Sequence, residues 1–518
     1  MKPTVRRAVL LTVLVGVFGW QWLQHAAGGS SVTAVAPDIM TVGALRLEPC
    51  QIGKRASGIA TMSAYCSRLS VPEDWGAPAG RHIQLKVAVL RASTATADPD
   101  PIVFLDGGPG GAASEDFPGI AGAFAGLRRR HWVLLVDQRG TGGSNALKCD
   151  ADSAQVSAQV SAQVSARPGD RAFVRARELV QLRRCVQQLN ARAAPEHYTT
   201  SDAVRDLEAV RVALGQPRLN LLGISYGTRV AQHYARRYPQ GVRTIVLDSA
   251  VPNELILGAE HARNLEITLQ ALSARCRAQR SCQERYGDPY PLMQRVHARL
   301  EAQPQTLELR DPYTFESQRR QIDGPQLAQL LRFYAYNAAT AALIPYVLKE
   351  ADEGRFAPLL GQTQLVIGEV ADHLDNGMAL SVICSEDADL LHENPQDADT
   401  LLGNELTTSL LHACSIWPHG VRPVDFHEPL HSVLPVLILA GENDPVTPPR
   451  YALAIARGLV HARVLMLTGQ GHGLVGAGCM PRVLEDFVRS ADPVRLDASC
   501  LQRLGQTPPF LDANGAGP

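Results

Sequence analysis

Apolar residues along the chain gather in short unbroken runs, each followed by turn formers: Ile102 to Leu105, Trp132 to Val136, Leu219 to Ile224, Thr244 to Leu247, Val436 to Leu439 and Val464 to Leu467. A strand with one wet face alternates apolar and polar side chains, whereas an unbroken run implies burial on both faces. These six runs therefore predict a parallel sheet covered by helices, with the segments between them supplying the helices. Ser201 to Leu214 is one such helix, with Ser201 as N-cap, Asp202 in the first turn, Val204, Leu207, Val210 and Leu214 on one face, and Gly215 as the stop.

Between Asp248 and Val436 the pattern changes to a long stretch rich in Leu, Ala, Gln and Arg with few β-branched runs. This predicts a mainly helical insertion above the carboxyl ends of the strands, where open α/β sheets bind ligands, so that it acts as a lid. The expected organisation is an export segment at 1–36, a first core part at 37–252, a helical cap at 253–412 and a second core part at 413–518.

The export segment pairs Lys2, Arg6 and Arg7 with an uncharged run from Ala8 to Trp20. Such a run, at about 1.5 Å per residue, falls short of a hydrocarbon core of about 30 Å, so a cleaved secretory signal is expected over a permanent span, with an uncleaved anchor as the alternative. Cleavage candidates follow Gly29 and Ala34, and no cysteine follows the run to carry a lipid. A triple SAQV repeat from Ser153 to Val164 reads as a solvated helix or loop, with a functional arm as the alternative.

With 45% hydrophobic and 19% charged residues over 518 positions, the chain is a packed globular protein and not a disordered one. Fifty basic against 51 acidic side chains leave no overall field for nucleic acid or anionic lipid, and neither is expected as a partner. Ten cysteines, all in the part that would be exported, predict disulfides in a secreted or periplasmic protein. Nearest-neighbour pairing gives Cys50 with Cys66, Cys149 with Cys185, Cys276 with Cys282, Cys384 with Cys414 and Cys479 with Cys500; buried free thiols are the alternative. No C-x-x-C or His/Cys cluster is present, so neither a metal nor a cofactor is expected.

The chemistry lies in three places. Gly223 to Gly227 is a G-x-S-x-G between a buried strand and a helical pattern. About 0.2 matches would arise by chance in a chain this long, so the pentapeptide alone is weak, but the strand–turn–helix setting makes Ser225 a candidate nucleophile on a turn that excludes flanking Cβ atoms. Such a serine needs an acid and then a base later in the chain. Asp444 in GENDPVTP and His472 in GQGHG both follow predicted strands, and Asp248 is an alternative acid. Third, DGGPGG after Leu105 lets backbone N–H groups approach a substrate oxygen, so Gly108 with Tyr226 forms a candidate oxyanion hole. No G-K-[ST] follows these glycines, which argues against a phosphate loop.

Taken in order, GGPGG, VDQRGTGGS (Val136 to Ser144), GISYGT, GENDPVTP and GQGHG resemble the α/β-hydrolase family of prolyl and tripeptidyl aminopeptidases, the secreted TAP-like branch in particular, over residues 45 to 500. The resemblance implies an α/β-hydrolase fold, a mostly parallel central sheet with a large helical cap, and a serine exopeptidase acting on peptides with a free N-terminus. It also implies cap carboxylates for the substrate amine, and Glu386 falls at the matching position with Asp387 beside it; a solvated acidic turn is the competing reading. Asp137 and Arg139 are expected to brace the loop. The family's His-Gly-Gly-Pro-Gly begins here with Asp106. An ester or amide hydrolase of small molecules using the same triad is the second functional reading, and a non-catalytic binding protein on the same scaffold the third.

Overall fold

The computed structural model describes residues 39–54, 61–94, 96–148, 171–310, 316–361 and 376–516. The export segment, the SAQV repeat and Cys149 lie outside them.

One ten-stranded sheet organises the chain, in the order β1-β2-β3-β4-β6-β5-β7-β8-β11-β12. The six strands expected from unbroken runs are all present: β5 (Ile102–Leu105), β6 (Val133–Val136), β7 (Leu219–Ile224), β8 (Val242–Asp248), β11 (Val436–Gly441) and β12 (Ala462–Leu467). They pair in parallel, so their carboxyl ends share one edge. Preceding them are β1 (Met40–Val42), β2 (Leu45–Ile52), β3 (Met62–Pro72) and β4 (His82–Leu90), joined antiparallel. Along β2, Leu45 and Leu47 are buried while Arg46 and Glu48 are exposed. That is the half-wet alternation which a search for unbroken runs passes over.

Fourteen helices are named in chain order: α1 (Ala113–Ile120), α2 (Arg171–Asn190), α3 (Thr200–Ala213), α4 (Tyr226–Arg237), α5 (His261–Ala278), α6 (Arg280–Tyr286), α7 (Pro289–Ala302), α8 (Gly324–Tyr336), α9 (Ala338–Ala341), α10 (Ile344–Asp352), α11 (Asn376–Glu386), α12 (Glu405–Cys414), α13 (Pro449–Ala456) and α14 (Met480–Ser490). On one face of the sheet Val204, Leu207, Val230 and Ile455, from α3, α4 and α13, join Val103, Leu221 and Ile438. On the other, Phe117 of α1 and Val483, Leu484 and Phe487 of α14 cover Phe104, Leu222 and Leu439. The predicted helix is α3, but its cap is Thr199, whose side chain accepts the Asp202 N–H. Threonine caps as serine does, and three consecutive hydroxyl residues, Thr199, Thr200 and Ser201, precede Asp202, so the pattern alone does not choose among them.

The insertion builds a separate core from Leu265, Leu269, Val296, Leu327, Leu331 and Val347. It is mostly helical but includes an antiparallel hairpin, β9 (Gln305–Arg310) with β10 (Ser317–Ile322). Helix α11 instead sends Met378 and Val382 into the core beneath the sheet. Four of the expected disulfides are present, Cys50–Cys66, Cys276–Cys282, Cys384–Cys414 and Cys479–Cys500, and no described cysteine is free.

Candidate active site

Ser225 occupies the single position between β7 and α4, with φ 55° and ψ −124°. A positive φ at a non-glycine residue is strained and persists only where the surroundings enforce it. Here they do: a Cβ at Gly223 would lie 2.4 Å from the Gly227 carbonyl oxygen, and one at Gly227 would lie 2.1 Å from that of Leu105. The two glycines let helix and strands pass that closely, and the serine between them is thrust from the carboxyl edge of the sheet, part exposed.

Asp444 and His472 leave that same edge, after β11 and β12. Asp444 Oδ2 meets His472 Nδ1 at 2.8 Å. The carboxylate is otherwise filled: Oδ1 accepts the N–H groups of Val446 and Thr447 at 2.8 Å each, and Oδ2 the Thr447 hydroxyl at 2.7 Å. Burial alone would raise this carboxyl, but the neighbouring His472 and the Thr447 donors hold it below the usual aspartate range. Burial works against an imidazolium too, yet the charge and hydrogen bond of Asp444 lift His472 above its ordinary value.

Asp248, the alternative acid, does something else. Its Oδ2 accepts the N–H groups of Leu474 and Val475 at 2.6 and 2.9 Å, while Ser249 Oγ accepts that of Gly473 at 2.8 Å. The Asp248 carbonyl receives the Ser225 N–H at 2.9 Å. The strand between serine and histidine thus ties both turns together. Burial pushes the Asp248 carboxyl up to about 6 against those donors. The insertion holds the histidine from the far side: His472 N–H donates to the Tyr336 carbonyl at 2.7 Å, and the Tyr336 ring stands edge-on to the imidazole with centroids 5.0 Å apart. Sequence reasoning missed these supports. Thr447, three residues after Asp444, was open to recognition as a hydroxyl turn, whereas nothing in the sequence near Tyr336 links α8 to a turn so far along the chain.

Opposite Ser225 lies the glycine turn after β5. A Cβ on Gly107 would stand 3.2 Å from Ser225 Cβ and 3.9 Å from its Oγ, so the Gly107–Gly108 backbone borders the hydroxyl. Tyr226 opens α4, where a first-turn N–H has no acceptor within the helix. Asp106 accepts the Gly107 N–H at 2.7 Å through Oδ1. Burial, reinforced by the carboxyl of Asp116 and opposed by the Gly107 N–H, holds the Asp106 side chain well above the usual aspartate range. Behind the turn, Asp137 accepts from Ser114 N and Oγ and from Gly143 N, and Arg139 binds Asp206 through two bonds of 2.7 Å. Both are fully buried and occupied internally.

Glu386 ends α11 and Asp387 follows it. Both are buried, so the solvated acidic turn does not hold. Asp387 pairs with Arg229 at 2.8 Å. Glu386 accepts the Thr200 N–H at 2.5 Å and the Thr200 hydroxyl at 2.9 Å, and that hydroxyl meets the Tyr226 hydroxyl at 2.7 Å. Burial pushes Glu386 up to about 8, with Arg229 opposing and Asp387 adding to the shift.

Two family models and several known proteins are similar to parts of this chain. The alpha/beta hydrolase fold family matches residues 100–271, which include Gly108, Ser225 and Tyr226, and the TAP-like protein family matches 399–500, which include Asp444 and His472. Serine protease Hip1 of Mycobacterium tuberculosis is 24% identical over 472 residues, 84% of this chain and 87% of its own. Tripeptidyl aminopeptidase of Streptomyces lividans is 30% identical over 193 residues, 36% of this chain and 35% of its own. Proline iminopeptidase of Neisseria gonorrhoeae is 27% identical over 147 residues, 28% and 31% of the two chains.

Proposed function

We propose that this chain, a serine hydrolase of the α/β-hydrolase fold with a TAP-like C-terminal region, is an exported exopeptidase that removes residues from the free N-terminus of peptides. Ser225 attacks the carbonyl while His472 takes its proton through the ring nitrogen that faces away from Asp444. Asp444 fixes the tautomer and stabilises the imidazolium. The N–H groups of Gly108 and Tyr226 receive the developing oxyanion. His472 then protonates the leaving amine, water attacks the acyl-enzyme, and the serine is regenerated.

The observation that carries the reading is the 2.8 Å bond between Asp444 and His472 on the sheet edge from which Ser225 also projects. Ser225→Ala should fold and lose turnover by about 10⁴-fold or more, together with labelling by a fluorophosphonate; a loss under a hundredfold would sink the acyl-enzyme.

For the substrate amine we assign Glu386. A carboxylate has about four acceptor sites; Thr200 fills two of Glu386's, and Arg229 Nη1 stands 3.8 Å from its Oε2. An ammonium at the remaining sites would favour the ionised form that burial disfavours. N-acetylation of a chromogenic aminoacyl substrate should therefore cut kcat/KM by about a hundredfold or more. Glu386→Gln should lower kcat/KM on the free-amine substrate more than on p-nitrophenyl acetate, which has no amine. Equal cleavage of free and acetylated substrates would move the assignment to the ester or amide hydrolase. Export is supported by the four disulfides, which persist in oxidising compartments.

A further inference from the structure

Two fully buried arginines of this protein are paired with carboxylates, Arg139 with Asp206 at 2.7 Å and Arg229 with Asp387 at 2.8 Å. Arg332, one turn before the end of α8, is different. It is half-buried, its Nε is sealed from solvent without a hydrogen-bond partner, and among the described residues no carboxylate lies within ion-pair distance. The guanidinium carbon stands 5.9 Å from the ring centroids of both Phe333 and Tyr336, and Nη2 reaches the Tyr336 hydroxyl at 3.4 Å. Tyr336 is the residue packed edge-on against His472. His261, the first residue of α5, has its Nδ1 buried and without a partner; burial, with the charges of Arg332 and His472 adding to it, holds its imidazole well below its ordinary value.

A guanidinium drawn part-way out of water without an anion costs free energy, and an unsatisfied imidazole nitrogen beside it adds to that cost. Both lie next to the candidate base, where an arriving anion would relieve them together. Position selects which anion. In the acyl-transfer reading, on which this inference rests, His472 hands its proton to the departing amine, so groups packed around its ring border the leaving fragment and not the acyl part. The leaving fragment of an exopeptidase is itself a peptide, and its anions are carboxylates.

We propose that Arg332, with His261 beside it, recognises a carboxylate on the leaving side of the scissile bond. Two sources share that chemistry: the C-terminal carboxylate of a very short substrate, and an aspartate or glutamate side chain just beyond the bond. Arginine suits either, because its planar fork takes both oxygens of a carboxylate at once.

Steady-state kinetics on two matched pairs of free-amine peptides test the assignment. One pair differs only in a C-terminal acid against its amide, and the other, amidated throughout, carries Asp against Asn just beyond the scissile bond. The wild-type protein should favour the carboxylate in at least one pair by tenfold or more in kcat/KM. Arg332→Met should remove that preference, and Arg332→Lys should restore part of it, a recovery that a merely structural role would not produce. A preference in the first pair identifies the chain terminus, and one in the second identifies the side chain. Equal rates within both pairs, or a preference that survives in Arg332→Met, would overturn the proposal. Fluorophosphonate labelling of the same preparations separates the two readings: a labelled enzyme indifferent to the carboxylate sinks this subsite alone, whereas an unlabelled one sinks the acyl-transfer reading beneath it.

Discussion

Asp248 and Asp444 each follow a strand on one edge of the sheet, and their partners divide their labour. Asp444 touches the imidazole, whereas Asp248 holds the backbone that carries it. Asp444→Asn should lower kcat by about 10³–10⁴-fold with little change in fold, because an amide presents the wrong hydrogen-bonding face to Nδ1. Asp248→Asn should instead lower thermal stability as well as activity, since a buried acceptor of two N–H groups is compromised; circular dichroism melts beside kinetics separate the two patterns. The sign of the pH dependence follows from His472. Its neutral form is the proton acceptor and Asp444 raises its titration point, so kcat/KM should rise with pH through a midpoint above 6.5, and Asp444→Asn should move that midpoint down. Ser225, Asp444 and His472 were legible because each carries its own local punctuation, a strand before it and glycine or proline around it. Glu386 and Asp387 were legible only as a position, since burial beside Arg229 depends on an arginine more than 150 residues away.

At the level of elements, the turns after β11 and β12 nearly touch. A Cβ on Gly441 would fall 1.8 Å from the Gly471 carbonyl oxygen, and one on Gly471 would fall 2.3 Å from that of Tyr336. Three backbones are stacked there without room for a methyl group. Gly441→Ala should therefore destabilise by about 1–3 kcal/mol in urea titrations and lower kcat, because the strain is delivered to the turn that bears His472. The parallel strands were readable as unbroken apolar runs. The antiparallel strands β1 to β4 were not, because their half-wet alternation is broken by charged positions: Lys86 is half-buried with its ammonium 3.9 Å from the buried Asp137, while Arg68 is exposed. The hairpin β9–β10 was hidden for a related reason: its strands are polar and sit in a stretch whose composition is otherwise that of helices.

For the molecule as a whole, the disulfides are built into the hydrophobic cores: Cys384 and Cys414 belong to the core on one face of the sheet, and Cys50, Cys66, Cys479 and Cys500 pack against the core on the other. Cys384–Cys414 joins α11 to α12 across 30 residues, two positions before Glu386. Removing a cross-link of that span should cost about 3–4 kcal/mol in the chain-entropy view. The double variant Cys384→Ser with Cys414→Ser should accordingly melt earlier and be nicked faster by added protease, with a larger loss on free-amine peptides than on p-nitrophenyl acetate. The pairing of cysteines was guessed correctly from proximity alone in the four bridges described, since short loops close most readily. The helical character of the insertion followed from composition, but its separate core and its grip on the histidine turn did not.

That grip runs from main chain to main chain, from the amide of His472 to the carbonyl of Tyr336. No replacement of a side chain can delete it, and any excursion that swings α8 away drags the imidazole off its aspartate or leaves its amide bare. A movement of α8 to admit a substrate would therefore suspend activation of the hydroxyl until the helix returned. The same bond limits engineering: a chimera that borrows a foreign insertion to change selectivity must import a carbonyl at that one point, or it will bind its new ligand without turning it over.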